Sequence, residues 1–283
     1  MKLALESRYG LKLDNRKDVL SAIIAERAQS ADQDYARYVE QLLSDSHDPE
    51  WEGIVEEFLV HETYFFRNPR QFMFFEDVVL GEWFPNQGSP DGFTQKSIRI
   101  GSFGCSTGEE PYSIAMSVAR NLQESLRNAI RIEAMDLSAA ALQKAKSGRY
   151  ESTHRLIESV SVMNPNYLNR YFTASGGYHT VKEELCNAVV FLQKNMIDLL
   201  DVPESLLPKY HCIFCRNLMI YFNLANQNRL IKFLENSLLP GGYLFLGDAE
   251  ALHIYNHGLN LAEEASALVY RKPNTVTEAY AWN

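Results

Sequence analysis

The sequence predicts an α/β fold: a doubly wound, mostly parallel sheet with a small N-terminal helical domain and a small antiparallel β insertion. Three observations predict it. From Ser97 onward, short apolar runs of strand character alternate with helical patterns, the arrangement that builds parallel sheets covered by helices on both faces. Up to about residue 60 only helical periodicity occurs. Ser175-Gly176-Gly177 separates two short strand-like runs, a tight-hairpin signal.

Composition sets the bounds. The 283 residues, 46% hydrophobic and 22% charged, suffice for one large domain and a small one. A net charge of −9 argues against general nucleic-acid or anionic-membrane binding. No run of about 18 apolar residues occurs, so no direct membrane insertion is expected. The start, MKLALESRYG, turns polar too soon for a signal peptide, and a cytoplasmic location is the expectation. No long heptad run or repeated apolar face appears, which suits a monomer. Cys212 and Cys215 have CxxC spacing, but they sit in the strand-like YHCIFCRN and no second CxxC exists. With Cys105 and Cys186 they read as free thiols, and no metal is expected.

Taken in order, DNRKDVLSAIIAERAQ places Val19, Leu20, Ile23 and Ile24 on one helical face. SADQDYARYVEQLL starts at a Ser30 cap and groups Tyr35, Tyr38, Val39 and Leu42. WEGIVEEFLV adds another amphipathic turn or two. Arg8, Lys12, Arg16 and Lys17 gather near the start, as a solvated face or as a face for an acidic helical partner. HETYFFRNPRQFMFFEDVV is dense in packing aromatics with Arg67 inside it, so Arg67 either pairs with an acid or faces a ligand carboxylate. Pro85 to Gly92 forms a loop into the first core strand.

SIRIGSFGCSTGEEPYSIAMSVA is the central unit. Ile98-Arg99-Ile100 reads as a strand, Gly101 to Gly108 as a glycine turn, and Glu109-Glu110-Pro111 as a helix start, where acids suit the dipole. A phosphate-binding loop keeps that helix end open to an anion. This loop carries two carboxylates and no cation, which favours a neutral or cationic ligand such as S-adenosylmethionine; the plain alternative is a glycine turn in an ordinary core. AIRIEAMDLSAAALQKAKSGRY repeats strand then helix. Asp136 closes the strand, where it can accept from ribose hydroxyls or cap a helix, and Ser138 can cap the helix that follows. Later strands end near Asn195 and at Arg216-Asn217, Leu230 to Leu239 is helical, LLPGGYLFLGDAE is turn plus strand, and GLNLAEEASALVYRKP closes with a hairpin. The TVTEAYAWN tail is loose. In such sheets ligands bind beyond the carboxyl ends of strands, so Cys105, Asp136, Asn195 and Asn217 are expected to line one crevice.

HETYFFRNPRQF, GCSTGEEPYSIAM, DLSAAALQKAKSGRY, LNRYF, CRNLMIYF and LLPGGYLFLG together resemble the CheR-type chemotaxis-receptor glutamate O-methyltransferases, over nearly the whole chain. The resemblance implies a Rossmann-like class I S-adenosylmethionine-dependent methyltransferase fold. It divides the chain into 1–75, a helical domain and linker, and 76–283, the cofactor-binding domain, with the β insertion at about 165–192. It implies methyl transfer from S-adenosylmethionine to glutamate side chains in the cytoplasmic helical domain of methyl-accepting chemoreceptors, leaving S-adenosylhomocysteine. Its cofactor positions fall on His61, Thr63, Arg67, Glu110, Asp136, Asn195, Met196, Asn217 and Leu218. Arg67 and Tyr221 are the expected catalytic side chains, Arg67 facing a carboxylate and Tyr221 either bordering the methyl with Asn217 or simply packing its ring.

Three features depart from the family pattern: His61 where Asn is common, Asp248-Ala249 where His-Ser is usual, and a short loop at Gly176-Gly177. The short loop points to docking that is independent of a receptor's C-terminal pentapeptide. Two other functions fit the same fold: a module that binds the cofactor as a sensor, and a methyltransferase acting on another protein.

Overall fold

The structure, a computed structural model, describes residues 1–13, 16–45, 48–59, 62–83, 98–122, 127, 129–262 and 267–274. The 85–92 loop and the C-terminal tail named above lie outside the described residues. The chain divides into two units, one of Met1–Glu62 with Tyr221–Gln227, the other of Thr63–Ile220 with Asn228–Asn283.

The first unit holds helices α1 (Lys2–Tyr9), α2 (Lys17–Ser30), α3 (Tyr35–Ser44) and α4 (Glu50–Phe58). Leu20, Ile23, Ile24 and Ala28 form the inner stripe of α2, while Val19 is exposed, because the stripe runs one residue further round than the expected face. Ser30 ends α2 and does not cap α3; Asp34 does, accepting from the N–H groups of Ala36 and Arg37. A carboxylate at that position satisfies two orphan donors of the first turn. Tyr38 and Leu42 turn inward from α3, while Tyr35 is exposed. Arg27 binds both oxygens of Glu50 at 3.0 Å, tying α2 to α4. The Arg8 and Arg16 guanidiniums lie 5.7 and 4.1 Å from the ring centres of Trp51 and Phe58 in the same unit. Residues 221–227 belong here because Leu11 bridges to Phe222 and the Asn223 N–H donates to the Gly10 carbonyl.

The second unit is built on a seven-stranded sheet in the order β6-β2-β1-β7-β8-β10-β9. Its strands are β1 (Ile98–Phe103), β2 (Ile130–Asp136), β6 (Val189–Gln193), β7 (Tyr210–Cys215), β8 (Leu238–Leu246), β9 (Asn260–Leu261) and β10 (Val269–Arg271). The first five are parallel, and β10 and β9 close the edge antiparallel, as the expected hairpin. Winding runs outward from β1 through β2 to β6, then returns to β7 on the other side of β1. The order therefore reverses between β1 and β7, and ligands of such sheets bind at that reversal.

A second, three-stranded antiparallel sheet has the order β3 (Arg149–Glu151), β5 (Tyr178–Val181), β4 (Phe172–Ser175). Gly176 (φ 56°) and Gly177 (φ 78°) supply the two left-handed residues of its hairpin, as their sequence indicated. The expected insertion of about 165–192 ends earlier, since Val189–Gln193 pairs with β2 in the large sheet.

Residues 63–75, expected with the helical domain, lie in the sheet unit, which also holds helices α5 (Pro69–Phe74) and α6 (Leu80–Trp83). Phe65, Phe66, Phe72, Phe74 and Phe75 enter its core, and Phe72 and Phe75 contact the ring of Phe214 at 5.8 and 5.6 Å. Cys212 and Cys215 are buried free thiols, as read from the sequence. Three residues apart on one strand, they point to opposite faces of the sheet.

Candidate functional site

The site is built from the strand ends at the reversal. After β1 the chain turns through Gly104 (φ 77°), Ser106 (φ 48°) and Gly108 (φ 94°) into helix α7 (Glu109–Asn121). The N–H groups of Gly104 and Cys105 donate to the Met135 carbonyl, fastening the loop to the end of β2. The next residue there, Asp136, receives the Ser106 N–H at 2.7 Å on one oxygen and the Ser138 N–H at 2.9 Å on the other. Ser138 also caps the helix Ala139–Ser147, as expected. An ionised carboxylate offers about four acceptor sites, so two backbone donors fix Asp136 without exhausting it. The Asp136 carbonyl accepts the N–H of Lys194 at 2.9 Å, which brings Asn195 and Met196 alongside. Asn195 caps the Met196–Leu199 turn through Ile197, and Met196 is buried.

Glu110 shows what the local sequence could not. Its carboxylate accepts from Ser102 Oγ at 2.7 Å and from Arg216 Nη1 at 3.3 Å, a partner 106 residues away. The reading of this loop as two acids without a cation is therefore corrected: the buried Arg216 supplies a cation from the end of β7, the strand beside β1. Nη2 of Arg216 donates to the Arg67 carbonyl. Burial pushes the Glu110 carboxyl up from the usual carboxylate range, while Arg216, Ser102 and the more distant Arg67 pull it back. Burial likewise raises Glu109, whose carboxylate accepts the Thr107 hydroxyl at 2.6 Å.

The segment carrying Thr63 and Arg67 is pinned to α7 through Ser113, whose hydroxyl accepts the Phe66 N–H at 2.9 Å and donates to the Glu109 carbonyl. Phe66 (φ 51°) and Asn68 (φ 61°) are both left-handed, so this backbone is held against local preference. The Arg67 guanidinium is half-buried, 5.8 Å from the Tyr64 ring centre. Beyond β7, Asn217 is left-handed (φ 59°), and Leu218 lies against Gly104, 3.4 Å from where a β-carbon would stand.

Of the expected residues, the structure brings Arg67, Glu110 and the Asn217-Leu218 pair to the reversal, and joins Asp136 to Asn195-Met196 one strand over. Thr63 is half-buried in the segment before Arg67. His61 lies outside the described residues. Tyr221 belongs to the helical unit, where its carbonyl accepts the Lys12 N–H at 2.6 Å. Sequence reading missed Ser102, Ser113, Arg216 and Glu250. Only Arg216, a charge ending an otherwise apolar strand, carried a visible signal.

These residues fit S-adenosylmethionine. Asp136 is an acceptor suited to ribose, and Arg67 can meet the carboxylate of the amino acid end. Among the described residues no His, Cys, Asp and Glu cluster has the form of a metal site, and no described helix is long and apolar enough to cross a membrane.

Comparison with known proteins gives the family. The family model described as "CheR methyltransferase, SAM binding domain" matches residues 61–267. The chain is similar to chemotaxis protein methyltransferase 1 of Pseudomonas aeruginosa, 32% identical over 78% of this chain and 77% of that protein. It is similar to the chemotaxis protein methyltransferase of Escherichia coli, 31% identical over 86% of this chain and 80% of that one. A probable biofilm formation methyltransferase of P. aeruginosa is 30% identical over 79% of this chain and 49% of its own length. With Glu110 and Arg216 at the strand reversal of a parallel sheet and Asp136 one strand over, the chain belongs to the CheR methyltransferase family.

Proposed function

We propose that the protein methylates glutamate side-chain carboxylates in the cytoplasmic helical domain of chemoreceptors, forming methyl esters. What supports the reading is the similarity to chemotaxis protein methyltransferases, together with the two carboxylates Asp136, at the end of β2, and Glu110, in the first turn of α7, each held in place by hydrogen bonds. When bound, S-adenosylmethionine supplies an electrophilic sulfonium methyl. Asp136 holds the ribose hydroxyls. Glu110, kept in place by Ser102 and Arg216, fixes the amino acid end of the cofactor or its surrounding network. Arg67 faces a carboxylate, of cofactor or substrate. Asn195 and Met196 would line the cofactor's site from the β6 side, and Asn217 and Leu218 from the β7 side. A glutamate with a pKa of about 4.3 is already ionised at neutral pH, so no side chain need remove a proton. Catalysis then comes from positioning and from keeping water away from oppositely charged reactants.

The test is to incubate the protein with S-adenosylmethionine labelled in its methyl group and receptors from its own organism. Base-labile label on receptor glutamates is the expected result. Binding of the cofactor without ester formation would make the protein a sensor. The similarity to a probable biofilm formation methyltransferase favours a second reading, in which the methyl group goes to another protein. Label appearing only on such a protein would select it.

A further inference from the structure

We infer that Glu250 is a positioning residue whose carboxylate sets the backbone of the Asn217–Ile220 turn and so presents Asn217 and Leu218 to the cofactor. This rests on the reading that those two residues hold the cofactor.

Glu250 lies in the turn after β8 and is 3% exposed. One of its oxygens accepts the N–H of Asn217 at 2.7 Å and of Gly247 at 2.8 Å. The other accepts the N–H of Met219 at 2.8 Å. These are charge-assisted bonds from backbone donors, and they join the ends of two neighbouring parallel strands, β7 and β8. The turn is closed tightly round the carboxylate. A β-carbon on Gly247 would lie 2.7 Å from a Glu250 oxygen and 3.0 Å from the Asn217 nitrogen.

What is clamped is a left-handed residue: Asn217 sits at φ 59°, a conformation open to glycine and asparagine but to few other residues, and Glu250 holds its N–H there. The residues on either side of it reach the site: Arg216 to Glu110, Leu218 to Gly104. The same turn also holds the other left-handed segment, since Asp248 accepts from Asn68 Nδ2 at 2.6 Å and Asn68 is at φ 61°. The Asp248 that departs from the family pattern therefore serves the Arg67 side, and Glu250 the Asn217 side. Burial raises the Glu250 carboxyl, and the N–H groups of Asn217, Gly247, Met219 and Ile220 hold it towards the charged form. Glutamine cannot replace it. Every partner on the two oxygens is a donor, so an amide nitrogen would face an N–H.

The experiment compares wild type with Glu250→Gln and Glu250→Ala, using S-adenosylhomocysteine as the calorimetric probe on protein whose folding is checked by circular dichroism. Both variants are expected to raise the dissociation constant at least tenfold. In turnover the cofactor KM rises while the KM for the methyl-accepting protein holds. A merely structural role would lower the active fraction and leave both KM values unchanged, and that result overturns the proposal, as does wild-type affinity in either folded variant. If neither variant folds, amide hydrogen exchange in the wild type decides: slow exchange at Asn217 and Met219, slowed further by the probe, upholds the clamp. Exchange at the rate of an open chain, or insensitive to the probe, overturns it. A wild type that ignores the probe removes the cofactor reading itself and this proposal with it. A wild type that binds beside folded variants that bind equally removes the positioning role alone.

Discussion

Asp136 and Glu109 put the site's chemistry within reach of single substitutions. Asp136 receives two backbone N–H groups and, in the proposed complex, ribose hydroxyls. Asp136→Ala is expected to weaken S-adenosylhomocysteine binding by about 1.5–3 kcal/mol, the scale of hydrogen bonds to a charged group. Calorimetric titration measures it, and unchanged affinity would take Asp136 out of the site. Glu109 is held above the ordinary carboxylate range by burial. A carboxyl with a folded pKa above its unfolded value, about 4.3, stabilises fully below that value. The contribution is then lost as pH rises through the folded pKa. Glu109→Gln lacks this term, so its unfolding free energy relative to wild type should rise over that window. Denaturant titrations from about pH 4 to about pH 8 would show it, and a flat difference would mean that Glu109 titrates as a solvated acid.

At the scale of elements, α7 begins where only glycine fits. Gly108 is at φ 94°, and a β-carbon there would lie 2.8 Å from that of Ala145 and 3.0 Å from the Tyr150 hydroxyl. That hydroxyl donates to the Thr107 carbonyl and Tyr112 donates to the Ala145 carbonyl, so the loop, α7 and the Ala139–Ser147 helix are locked together. Gly108→Ala combines left-handed strain of about 1–2 kcal/mol with that clash. The variant should lose about 2 kcal/mol or more of stability by urea titration, whereas a neutral substitution would mean the two helices are not in contact. Local signals served well here. Acids and proline at the start of α7, Ser138 before its helix and Gly176-Gly177 in the hairpin each act within a few residues. They fail at the start of α3, where the expected cap is Ser30 and Asp34, four residues later, caps the helix.

Across the whole molecule the chain is discontinuous: it leaves the sheet unit after Ile220 and rejoins it at Asn228. Phe222, 4% exposed, belongs with Leu11 in the helical unit. A fragment starting at Thr63 keeps every described strand but strips Phe222 of that cover. It should melt at a lower temperature and aggregate more readily than the full chain, judged by calorimetry and light scattering; equal behaviour would mean that residues 221–227 do not depend on the helical unit. What the sequence by itself determined were features of short range: the alternation of strands and helices, the glycine loop, Asp136 at a strand end and the hairpin. Residues 63–75 joining the sheet core, Arg216 neutralising Glu110 and Glu250 holding the Asn217 turn were decided only by the tertiary structure. The reason is physical. Periodicity and capping act over a few residues, but which charge meets which depends on strand order, and only the placing of β7 between β1 and β8 brings Arg216 to Glu110 and Asn217 to Glu250.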